Sequence, residues 1–183
     1  MRGEAILSAL PSSGKREDDI IDVGIVELEP MVAECQHIQW IIPFDRFKTG
    51  LEHVGSKVYM AIGYPATRIN RRGKSISPQA MIYWNLVADA ALYKKKGLSP
   101  QSHILITYDQ EHSTFQDGKE GSTPDPHGMS GCPIWLLGDI QDAAKNDPGV
   151  IVGIATEHDR RNKCIVATDI AYALTNLNDL IAK

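Results

Sequence analysis

The sequence predicts an all-β protein. Two observations carry that expectation: apolar stretches mostly of strand length, and Gly and Pro punctuation between them. A third bounds it: only two segments show helical spacing. Apolar residues fill 43% of the 183 positions and charged residues 23%, the balance of an ordinary globular chain. This length suits one domain, or two small barrels sharing an interface.

The elements follow in order. Residues 4–10 read as a strand closed by Pro11-Ser12-Ser13-Gly14, and 20–28 as a second strand stopped by Pro30. Residues 32–42 are mixed and end at Pro43. Residues 57–63 alternate, with Val58, Met60 and Ile62 on one face, and turn at Gly63-Tyr64-Pro65. Further strands are expected at 103–108, 133–137, 150–156 and 163–168. The first helix is expected near 78–96: Ser77-Pro78 suits an N-cap and first helical position, Met81, Trp84, Ala88, Ala91 and Leu92 share a helical face, Lys94-Lys95-Lys96 suits the C-terminal dipole, and Gly97 stops it. The second is expected at 170–182, on the spacing of Ile170, Leu174, Leu177 and Ile181. A polar loop, 117–126, leads into the segment that carries the chemistry.

Composition narrows the function classes. The net charge of −4 gives no electrostatic reason to expect nucleic acid or an anionic membrane as partner. The short basic runs at 71–74 and 94–96 read as solvated loop and helix-end charges. No run reaches the ~18 apolar residues of a membrane span, and with Glu4 and no long apolar core over residues 1–7 no signal peptide is expected. Cys35, Cys132 and Cys164 are odd in number and lack metal-type spacing, so a reducing compartment, the cytoplasm, is expected. No cofactor motif and no metal site are expected.

The segment Gly128-Met129-Ser130-Gly131-Cys132-Pro133 places a serine between glycines, directly ahead of an apolar strand. A nucleophilic serine needs an exposed hydroxyl and nearby N–H groups free to face an oxyanion, and glycine permits such turns. The competing reading is an ordinary Gly/Ser/Pro turn. Residues 127–131, His-Gly-Met-Ser-Gly, lack the Gly-x-Ser-x-Gly spacing of an α/β hydrolase.

The segment resembles the Gly-x-Ser-Gly-Gly-Pro nucleophile turn of trypsin-like serine peptidases, with Cys132 in place of the third glycine. Four further stretches match that family in order: Asp22-Val23-Gly24-Ile25-Val26-Glu27-Leu28, residues 55–65 ending in Gly63-Tyr64-Pro65, Val150-Ile151-Val152-Gly153-Ile154, and Val166-Ala167-Thr168-Asp169-Ile170. Together they run from about Asp22 to Leu180. The resemblance implies a trypsin-like β-barrel fold with a partial first barrel over 1–54, carrying the triad aspartate, and a complete second barrel over 55–183, with the serine turn and terminal helix. It implies peptide-bond hydrolysis through an acyl-enzyme on Ser130, with Asp22 orienting the histidine and the N–H groups of Gly128 and Ser130 forming the oxyanion hole. A peptide or protein would be the substrate. Ala155, Thr156, Glu157 and Ile165 would shape the specificity pocket, with Ile165 making it shallow and suited to small or medium apolar side chains. Cys132 reads as a buried filler.

One part of the pattern is not met. The family's order is His, Asp, Ser, and all six histidines of this chain follow Asp22. Serine without a base is an ordinary alcohol, so negligible hydrolysis is expected. Three explanations stand: a chain shortened at its N-terminus, a degenerate relative, or a substitute histidine, of which His127 is nearest. A partner or a missing N-terminal segment would complete the first barrel. The alternative function is a non-catalytic module that holds a peptide or partner protein in the old cleft.

Overall fold

The structure, a computed structural model, describes residues 4–7, 24–27, 42–51, 53, 56–72, 75–114, 118–139 and 149–181. Asp22 and most of the mixed stretch at 32–42 lie outside the described residues. Within them the fold is mostly β. Two short strands, β1 (Glu4–Leu7) and β2 (Gly24–Glu27), pair antiparallel.

The main sheet has six strands. They are β3 (Lys57–Gly63), β6 (Met81–Leu86), β7 (His103–Thr107), β10 (Pro133–Asp139), β11 (Val150–Asp159) and β12 (Cys164–Asp169). Minor pairs are β4 (Ile69–Arg72) with β5 (Ser75–Pro78), and β8 (Ser113–Thr114) with β9 (Glu120–Gly121). The sheet order is β6-β3-β10-β11-β12-β7, antiparallel throughout. Its edges meet: Val87 bridges Ile106, Ala88 N–H donates to Leu105 O at 2.6 Å, and the Tyr83 hydroxyl donates to Thr107 O at 2.8 Å. Curling the sheet until its edges meet leaves few strand groups unpaired and gives a barrel-like body.

Inside it lie Tyr59, Ala61, Ile104, Ile106, Ile134, Val152 and Ala167, all inaccessible to solvent. Val58, Met60 and Ile62 do share a face, but it is the opposite one. Met60 stands across from both Trp84 and Trp135, and Ile62 across from Ile82. This outer face is covered near β10 and β11, where Trp135 and Ile151 pack with Ile42, Phe47 and residues of α2 (Ile170–Ile181). Farther along, Ile82 and Trp84 are exposed.

The expected helix at 78–96 is corrected. Ser75–Pro78 and Met81–Leu86 are strands, and only α1 (Ala90–Lys96) is helical. Residues 81–86 align with β3 from Gly63↔Met81 to Val58↔Leu86. Sheet pairing thus overrides a pattern that fits either period. The N-cap is Asp89, whose side chain accepts from Leu92 N–H at 2.9 Å, while Gly97, at φ 67°, does end the helix. The terminal helix α2 forms where the spacing placed it.

A sealed polar network fixes the base of α2. His53 Nδ1 lies 2.8 Å from the Tyr59 hydroxyl, and His53 Nε2 lies 2.8 Å from Asp169 Oδ2. Asp169 Oδ1 accepts from the Ala171 N–H at 2.7 Å, capping the helix. Burial, reinforced by the neighbouring Tyr93 and Asp169, pushes the Tyr59 phenol far above its ordinary value. Tyr59 therefore donates to Nδ1, and Nε2–H donates to Asp169. No described helix is long and apolar enough to cross a membrane.

Candidate functional site

The serine turn is built on two glycines in the left-handed region, Gly128 at φ 90° and Gly131 at φ 88°. A Cβ on Gly128 would also stand 3.1 Å from the backbone nitrogen of Ala66. The segment after β3 clamps the turn. Ala66 N–H donates to His127 O at 2.8 Å, and Pro65 is buried beside it. Met129 is buried under Gly63, where any Cβ would come within 2.9 Å of the methionine methyl. The Gly-Tyr-Pro stretch singled out in the sequence thus has a physical job, which is to seat Met129 and hold His127.

Hydrogen bonding along the turn alternates in a useful way. His127 N–H donates to Asp125 Oδ1 at 3.1 Å, Met129 N–H to Pro126 O at 2.9 Å, Gly131 N–H to Ala155 O at 2.7 Å, and Cys132 N–H to Met129 O at 2.9 Å. The N–H groups of Gly128 and Ser130 make no hydrogen bond among the described residues. Two spare donors on an exposed turn can receive a carbonyl or carboxylate oxygen.

Ser130 is exposed, and its hydroxyl donates to Thr156 O at 3.1 Å. Thr156 is available because β11 bulges there: the register with β12 shifts between Ala155 and Glu157. Among the described residues no histidine nitrogen is within hydrogen-bond distance of Ser130. His53 is committed to Tyr59 and Asp169, His103 to Ser102 Oγ at 2.8 Å, and His112 lies 3.4 Å from Asp109. His127 stands exposed at the turn itself. Cys132 is buried, and burial pushes its thiol up to about 11, so it is protonated at neutral pH.

Beside Ser130 opens a pocket of about 270 Å³. Ala155, Glu157 and Ile165 line it; Thr156 does not, and contributes its carbonyl to Ser130 instead. Sequence reasoning missed Asp125, His158 and Arg160, which also line it. Arg160 pairs with Asp125, and His158 Nδ1 lies 3.6 Å from Asp125 Oδ1. Burial opposes ionisation of Asp125, but the His127 N–H and the Arg160 guanidinium outweigh it and hold the carboxyl below its ordinary range. Burial draws the His158 imidazole below its ordinary value, against the pull of Asp125. The walls are therefore more polar than an apolar pocket would be.

The residues described hold no cluster of three His, Cys, Asp or Glu side chains suited to a metal ion. Comparisons with protein-family models, with curated proteins and with solved structures find no match in any of the three.

Proposed function

We propose that this chain carries the peptide-binding cleft of a trypsin-like serine peptidase. The extended backbone of a peptide would pass the Ser130 turn, with one carbonyl directed at the N–H groups of Gly128 and Ser130. One observation supports the reading above the others: those two donors are spare while every neighbouring N–H of the turn is used. The adjoining pocket, with Ala155, Glu157 and Ile165 on its walls, would take the side chain next to that carbonyl. The role of Asp22 as triad member belongs to the same reading.

Hydrolysis would need a base at Ser130. In its place the hydroxyl is bonded to Thr156 O, an acceptor that cannot carry a proton away. This favours binding over turnover in the chain as it stands. A product-type ligand tests the reading directly. Acetylated tripeptide acids, titrated into the 15N-labelled protein, should shift the Gly128 and Ser130 amide signals first, and should bind at least about fivefold tighter than the same peptides ending in carboxamide. Absence of shifts at these two amides at millimolar peptide would remove the reading.

A further inference from the structure

The wall charges of the pocket beside Ser130 are already answered. Asp125 pairs with Arg160, and Glu157, exposed at the rim, lies 3.7 Å from Lys96. A ligand ammonium or carboxylate would lose its water and meet no uncommitted counter-charge, which is unfavourable.

In the wall away from the Ser130 turn, where His127 stands exposed, the described polar side chain with spare capacity is the half-buried His158. Its ring stands edge-on to Tyr108, with centroids 5.1 Å apart. Nδ1 faces the Asp125 carboxylate at 3.6 Å, and that negative charge favours the tautomer with the proton on Nδ1. In a neutral imidazole the other nitrogen, Nε2, is then an acceptor, and it has no hydrogen-bond partner among the described residues. The drawn-down imidazole value agrees with the neutral form. Ala155, Cys132 and Ile165 supply apolar wall to the same cavity. The complementary ligand has an apolar stem and an uncharged donor at its tip.

We propose that this pocket selects a carboxamide side chain, glutamine above all, with Nε2 of His158 accepting the hydrogen bond of its amide N–H. The proposal rests on the reading of the Ser130 turn as a peptide cleft. Ile165 limits the pocket but does not make it an aliphatic one. Leucine would leave Nε2 without a partner, and lysine or glutamate would arrive uncompensated.

The test uses the full chain and four acids of the form acetyl-Ala-Ala-X, with X as Gln, Leu, Lys or Glu, measured by titration calorimetry at pH 7. The Gln peptide should bind about fivefold tighter than each of the others, the equivalent of one neutral hydrogen bond. His158→Phe, which keeps a ring against Tyr108, should abolish the preference for Gln over Leu. His158→Gln provides a second variant should the first fail to fold. Equal or tighter binding of Leu, Lys or Glu would overturn the selectivity while leaving the cleft in place, as would an undiminished Gln preference in both variants. Failure of all four peptides to bind, with no response at the Gly128 and Ser130 amides, would overturn the cleft reading and this proposal together.

Discussion

The His53 network and the Ser130 turn are opposites. At His53 both ring nitrogens are bonded, Asp169 serves the ring and the start of α2, and the whole assembly is buried. At Ser130 the hydroxyl is exposed and two neighbouring N–H groups are spare. Residue type alone does not separate a scaffold from a site. Satisfaction does: a buried group with every bond made contributes to stability, whereas an accessible turn with donors left over is free to bind something else.

The largest effect should come from breaking the sealed network. His53→Ala removes the ring, leaves a void, and strands the Tyr59 hydroxyl and one carboxylate oxygen of Asp169. A loss of about 3 kcal/mol is expected by urea unfolding. A loss below about 1 kcal/mol would mean that the network is not what ties residue 53 to α2. Since the serine turn is held by different bonds, from Ala66 and Ala155, its amide signals should remain in place in the variant.

The same contrast explains what was legible in the sequence. Strands announced themselves because alternation and Gly or Pro breaks are local. Lys57–Gly63 falls where expected, and so do the strands around Trp135, Val152 and Val166. The serine turn was legible because its two glycines answer a local backbone demand. Where a residue's role depends on a distant partner, the sequence was silent. Residues 81–86 looked helical because their pairing with β3 is not written in their own spacing. Asp125 and Arg160 meet across 35 positions, and His53 meets Asp169 across 116. No periodicity links such pairs, so the polar wall of the pocket and the sealed network both escaped notice.

An intermediate case lies between the two regions and should respond to pH. Lys96 from α1 pairs with Asp159 at the end of β11, and the Asn162 amide donates to the same carboxyl at 2.7 Å. Burial opposes ionisation of Asp159, but Lys96 and Asn162 outweigh it and hold the carboxyl well below its ordinary range. A depressed carboxyl stabilises the fold above its unfolded value, near 4, and loses that contribution as the pH falls toward the folded value. Asp159→Asn should therefore cost about 1 kcal/mol at pH 7, a partly screened charged hydrogen bond. The gap from wild type should shrink as unfolding is repeated at steps below pH 4. A gap that stays constant or widens on acidification would assign the stabilisation elsewhere.

The smallest effect on stability should be at the site itself. Ser130→Ala removes one hydrogen bond from an exposed hydroxyl to Thr156 O, a change expected to stay under about 1 kcal/mol. The more telling measurement is chemical. A fluorophosphonate probe reports a serine whose proton can be withdrawn, and Thr156 O cannot withdraw it. Wild type and Ser130→Ala should therefore label at the same slow rate, while peptide acids continue to bind both, since the N–H groups of residues 128 and 130 survive the substitution. Labelling of wild type well above the variant would show that a base does reach Ser130. It would turn the open turn from a binding site into a working nucleophile, and the difference between the sealed and the open region would then be one of chemistry as well as of satisfaction.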